Sequence, residues 1–151
     1  MNSVYNTYPD DDSVKEVILH ADGLSYSGMG DRHVLLQWNN VTTETDLVTQ
    51  IVQLTGQSSN HSYYVPVAKL HSTQTMLDNQ IFSLGKFSQA QRDEILNLAH
   101  QVVFSKTSTT NGCRVWMRDL LVAMVQAHLI PQAKFDEIDA GVPLVKRIAD
   151  A

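Results

Sequence analysis

The stretch TTNGCRVW at 109–116 carries the only cysteine of the chain, Cys113, at the point where a polar loop turns into a long apolar-periodic run. A thiol in that place suits nucleophilic chemistry, because the open N–H groups and the dipole of a helix N-terminus stabilise the thiolate over the thiol. The same place suits packing: cysteine is among the most buried residue types, and offsets of three to Trp116 and seven to Leu120 set Cys113 at the head of an apolar stripe. A thiol nucleophile also needs a base within hydrogen-bond reach, usually a histidine. Of the six histidines, His33 is the first candidate, since it stands where a glycine-containing loop (Gly23, Gly28, Gly30) meets the apolar run HVLLQW. His61, just before SYYVPV, comes second by the same reasoning. His20 and His71 are intermediate, and His100 and His128 fall late in helical runs, where capping of carbonyls or exposure to solvent is their ordinary role.

These groups must be positioned by the elements around them. The 151 residues suffice for one compact domain, read here as 13–151 behind an acidic tail, 1–12, that contains Pro9 and the run Asp10, Asp11 and Asp12. Runs rich in β-branched residues predict strands over 14–21, 33–38 and 79–87. Segment 43–56 fits both periods and is assigned as strand, and 62–71 is a strand that Pro66 confines to an edge or a bulge. From Ser88 the period changes: Gln91 completes a capping box, and Ile95, Leu98, Ala99 and Val102 predict a helix over 89–103. A second helix is predicted over 113–130 from Trp116, Leu120 and Met124 beside Leu121, Val125 and His128, before Pro131 stops it and a short segment QAKFDEID follows. The expected fold class is α+β: an antiparallel sheet of about four or five strands from the first half, with two main helices packed on it. Trp116, Met117 and Met124 lie at helical spacing and read first as packing.

Composition narrows the function. A net charge of -5, from 11 Lys+Arg against 16 Asp+Glu, with no basic cluster, gives nucleic acid no footprint. No apolar stretch approaches the roughly 18–20 residues of a membrane span, and MNSVYNTYPDDDS lacks the basic and apolar parts of a signal peptide, so a cytoplasmic location is expected. The histidine spacings match no zinc pattern, and neither a metal nor a cofactor is expected. The sequence specifies no oligomeric state.

A histidine opening an early strand (RHVLLQW), further strands, and a cysteine opening a long amphipathic helix (NGCRVW) follow one another in the order of the circularly permuted papain-like proteins. The chain resembles that superfamily, in particular its lecithin:retinol acyltransferase and PPPDE-type peptidase branches. The order RHVLLQW, SYYVPV, a capped helix and GCRVWMRDLLVAMVQAHLI also resembles a family of uncharacterised fungal proteins with a GCR-aromatic-Trp core. In RHVLLQW, Val34 stands where an aromatic commonly follows the histidine in the papain-like branches. The resemblance implies a permuted papain-like fold with Cys113 as nucleophile and His33 as its base; Asp46, Gln50 and His61 remain open as the third group. The function expected on this basis is thiol-dependent hydrolysis or acyl transfer on a small acyl, ester or amide substrate, with N–H groups of the Gly112 to Arg114 region receiving the oxyanion. Gln37, Tyr63 and Trp116 are the expected substrate contacts. Two alternatives stand beside it. One is a small-molecule cyclase or isomerase using an apolar pocket with polar contacts from His33, Gln37, Tyr63 or Tyr64 and no covalent thiol; the other is a non-catalytic binding module.

Overall fold

Residues 12–21, 33–42, 47–52, 54–57, 60–63, 67–71, 80–104 and 113–146 are described by a computed structural model. Gly23, Gly28, Gly30, Asp46, Tyr64, Pro66, Asn111 and Gly112, and most of the acidic tail, lie outside these residues. The strands are β1 (Lys15–Ala21), β2 (Val34–Thr42), β3 (Leu47–Val52), β4 (Leu54–Gln57), β5 (Asn60–Tyr63), β6 (Val67–His71) and β7 (Gln80–Phe87). The helices are α1 (Gln89–Gln101), α2 (Cys113–Gln126) and α3 (Gln132–Gly141). The α+β class is as expected, with a five-stranded antiparallel sheet in the order β6-β3-β2-β1-β7 and a separate two-stranded ribbon, β4-β5. Among the described residues three helices are present where two main ones were expected, and Phe135 and Ile138 bury one side of α3 in the core.

Alternation along the central strands divides the sheet into two faces. Val17, Leu19 and Ala21 of β1, Val34, Leu36 and Trp38 of β2, and Val52 of β3 belong to the continuous core. The pairs Leu19↔Leu36, Ala21↔Val34 and Leu36↔Val52 align them across the strands. The helices cover this face. In α2, Cys113, Trp116, Met117, Leu120, Leu121 and Met124 recur at intervals of three and four and are all buried. In α1, Ile95 and Ala99 are buried, with Leu98 and Val102 packed more loosely beside them.

The helix ends show how local chemistry fixes the boundaries. Ser88 caps α1 reciprocally: Gln91 N–H donates to Ser88 Oγ at 3.2 Å, and Ser88 N–H donates to Gln91 Oε1 at 2.8 Å. The expected helix over 113–130 ends at Gln126, and His128 is neither on its stripe nor buried. His128 has φ 62, and its N–H donates to Val125 O at 3.0 Å while Leu129 N–H donates to Met124 O at 2.9 Å, a Schellman ending. Where β7 meets β1 the register slips between Val17 and Ile18, and Gly85, opposite Val17, takes φ 111, a conformation that disfavours any side chain. Arg92 lies fully buried at the corner between β7 and α1, where its Nη1 donates to Phe87 O at 2.7 Å and to Ser13 O at 2.8 Å. That one guanidinium ties the start of β1 to the start of α1.

Candidate functional site

On the helix side, Cys113 is the first residue of α2 and is 7% exposed. Its position in the stripe leads into Trp116, one turn on and buried in the same core. Arg114 Nη1 donates to Pro143 O at 3.1 Å, which fastens this first turn to the chain following α3. Cys113 thus lies in the buried core, and Trp116 is 1% exposed within it.

The opposite face of the sheet holds different chemistry. Ile18, His20, Leu35, Gln37 and Ile51 alternate out of phase with the core residues, and Ile18↔Gln37, His20↔Leu35 and Gln37↔Ile51 align them on one surface. Gln37 is a side-chain amide only 1% exposed, with buried Ile51 beside it. Its Oε1 lies 3.3 Å from His20 Nδ1. A carbonyl oxygen only accepts, so with the amide in this orientation Nδ1 carries the ring proton and Nε2 keeps its lone pair. Nε2 is buried and meets no hydrogen-bond partner among the described residues. A histidine held in one tautomer by a buried acceptor, with its other nitrogen unpartnered, keeps a lone pair that can take up a proton.

The structure brings some of the expected site residues together and separates others. Cys113 and Trp116 share the helix-side core, whereas Gln37 lies across the sheet from them. His33 is half-buried, one residue before β2. Tyr63 ends β5 opposite Leu54, His61 pairs with Gly56, and Gln50 of β3 pairs with Trp38. His20 was not among the expected catalytic groups. The signal for it was the phase of VKEVILHA, in which Val17, Leu19 and Ala21 point one way and His20 the other.

Among the described residues no group of His, Cys, Asp and Glu side chains could hold a metal ion, and no helix is long and apolar enough to cross a membrane. No known protein-family profile matches the chain, and neither curated proteins nor solved structures provide a match.

Proposed function

We propose that this protein is a small-molecule enzyme of the isomerase or cyclase type, working by proton transfer through His20 without a covalent thiol. The observation that carries this reading is the buried Gln37–His20 pair, with Nε2 of the imidazole unpartnered among the described residues. A half-buried histidine on a sheet face gains little for stability from such a pair, and an imidazole nitrogen with its lone pair uncommitted can serve as a general base. In the proposed step Nε2 takes a proton from a C–H beside a carbonyl of the substrate. The bond to hydrogen breaks, its electron pair stays on the substrate as an enolate-type anion, and the imidazolium keeps its Nδ1–H bond to Gln37. Return of the proton to a different atom completes an isomerisation or ring closure with no change of oxidation state.

The test is deuterium exchange. Carbonyl compounds that raise the melting temperature of the protein are incubated with it in D2O, and loss of their acidic protons is followed by proton NMR. Wild type and Cys113→Ala are expected to catalyse the exchange and His20→Gln to lose it. Exchange that survives in His20→Gln, or disappears in Cys113→Ala, overturns the proposal.

A second reading keeps the thiol. It is favoured by Cys113 being the first residue of α2, where the dipole of a helix N-terminus supports a thiolate. In that reading His33 turns round the end of β2 to reach the sulfur, and the reaction is acyl transfer on a small ester or amide. The rate of carbamidomethylation by iodoacetamide against pH decides it. A fast rate that persists below neutral pH and falls in His33→Ala supports the dyad, whereas a thiol that reacts only on unfolding removes it.

A further inference from the structure

Which substrates a base at His20 can serve depends on what surrounds the ring, and the register of three strands fixes those neighbours. On the sheet face turned away from the helices, His20 of β1 stands directly opposite Ile81 of β7 and Leu35 of β2. Side chains opposite each other in an antiparallel pair have their Cβ atoms about 4.5–5.5 Å apart, so an aliphatic group flanks the imidazole on either side. Ile18, two residues back along β1, adds a third on the same face. Ile18 and Leu35 are half-buried, and Ile81 is 43% exposed. Among the described residues of β1, β2 and β7, the carboxylate and ammonium groups in phase with His20 are those of Glu16 and, opposite it, Lys86. Glu16 Oε2 accepts from Ser83 Oγ at 2.7 Å, at the far end of this face. The two charges are of opposite sign and lie four residues from His20 along β1, roughly 13 Å at the rise of a strand.

We infer that this site takes uncharged ketones or aldehydes whose enolisable carbon belongs to a hydrocarbon body, and that it excludes keto acids. The inference rests on the acid–base reading of His20 and names the substrate class for it. Nε2 is buried and meets no partner among the described residues, so a C–H that gives it a proton does so among aliphatic side chains and out of water. Apolar surface of a ligand is stabilised there by the area it covers. A carboxylate in the same place loses its hydration and finds no cation beside Ile81, Leu35 or Ile18, a cost that an uncharged ketone does not incur. Proton transfer keeps that balance. The C–H bond breaks, its electron pair stays on the ketone as an enolate, and the proton forms the Nε2–H bond of an imidazolium, so the two charges arise together and in contact. A keto acid would bring a second negative charge with no counterpart.

Hexyl methyl ketone is compared with butyl methyl ketone, which is two methylenes shorter, and with the keto acid in which a carboxylate replaces the terminal methyl of the hexyl chain. Each is titrated into the full chain, 13C-labelled at the methyl groups of isoleucine and leucine. Hexyl methyl ketone is expected to shift the signals of Ile18, Leu35 and Ile81 together and saturably. It should bind roughly fourfold to fifteenfold more tightly than the butyl compound, the range set by two methylenes partly or fully covered. The keto acid should bind about tenfold more weakly or worse, for want of a partner to its charge. Ile81→Lys places a cation beside the ring at an exposed position, and it is expected to narrow or reverse the ratio between ketone and keto acid. Equal binding of ketone and keto acid, no gain with chain length, or shifts confined to other residues overturn the inference, and so does a folded Ile81→Lys variant that keeps the wild-type ratio. The wild-type titrations decide the matter by themselves if that variant does not fold. Binding is read on the protein's methyl groups and turnover on the ligand's own protons in D2O, so the two readings fail separately. Selective binding of the ketone beside His20 without exchange leaves the ligand class standing and removes the acid–base reading; equal, His20-dependent exchange in ketone and keto acid does the reverse.

Discussion

Replacing Gln37 with leucine tests the hydrogen bond on which the assignment of His20 rests. The side chain is almost wholly buried, and its Oε1 meets His20 Nδ1 at 3.3 Å, a long contact. A bond of that length belongs near the lower part of the net range for buried hydrogen bonds, about 0.5–1 kcal/mol. Leucine keeps most of the volume and adds apolar surface, which offsets part of the loss, so global stability should change by no more than about 1 kcal/mol. The larger effect is on the ring. A preference of about 1 kcal/mol corresponds to roughly fivefold in an equilibrium between tautomers, and without the carbonyl acceptor the proton is no longer held on Nδ1. Long-range 15N–1H correlation of the imidazole, recorded where the ring is neutral, reads this directly. Wild type should show Nδ1 protonated and Nε2 bare, and Gln37→Leu should move population toward Nε2–H. A wild-type spectrum with the proton mainly on Nε2 refutes the reasoning, because Nε2 would then be a donor and could not take a proton from a substrate.

Arg92→Met keeps the aliphatic stem but strips the carbonyls of Phe87 and Ser13 of their shared donor, and the variant should lose roughly 2–4 kcal/mol in urea unfolding, since an apolar replacement leaves those acceptors behind. A stability equal to wild type would show that the guanidinium contributes nothing net. Ser88→Ala removes one half of the α1 capping box and should cost about 1 kcal/mol, seen as a lower melting temperature with faster amide exchange confined to the first turn. Gly141→Ala gains roughly 1 kcal/mol of helix propensity, yet its Cβ would come within 2.6 Å of Phe82 Cζ and push the ring toward the packed side of β7. A small net loss of stability is expected, and a gain would mean that the ring yields without cost.

Features set by neighbours in sequence were legible, and those set by register were not. Ser88 and Gln91 announce the start of α1 because both halves of the capping box lie within four residues. The α2 stripe from Cys113 to Met124 follows from spacing alone. Its end did not, since His128 takes the left-handed conformation that a glycine would have signalled. The segment 43–56 read as strand for its β-branched content, but its division into β3 and β4 reflects pairing with two different partners, which no window of sequence contains. At the site, the phase of β1 shows that His20 and Leu19 point oppositely, yet the meeting of His20 with Gln37 depends on how β1 and β2 slide past each other. A slip of one residue would have brought a core side chain in place of Gln37.

The two faces of the sheet have different physical justifications, and that difference is the reason to look for chemistry away from the cysteine. On the helix side the buried side chains of α2 are mostly apolar and stabilise the fold by the area they remove from water. On the other face a buried amide and an imidazole occupy positions where leucine and valine would pack without needing partners. Replacing a hydrogen-bonded polar pair by apolar groups of similar shape is commonly neutral or stabilising, so the folded state does not require His20 and Gln37. Polar groups that stability does not ask for are expected where activity does. The proposed proton transfer through His20 is the reading that gives the buried Gln37–His20 pair a purpose beyond stability.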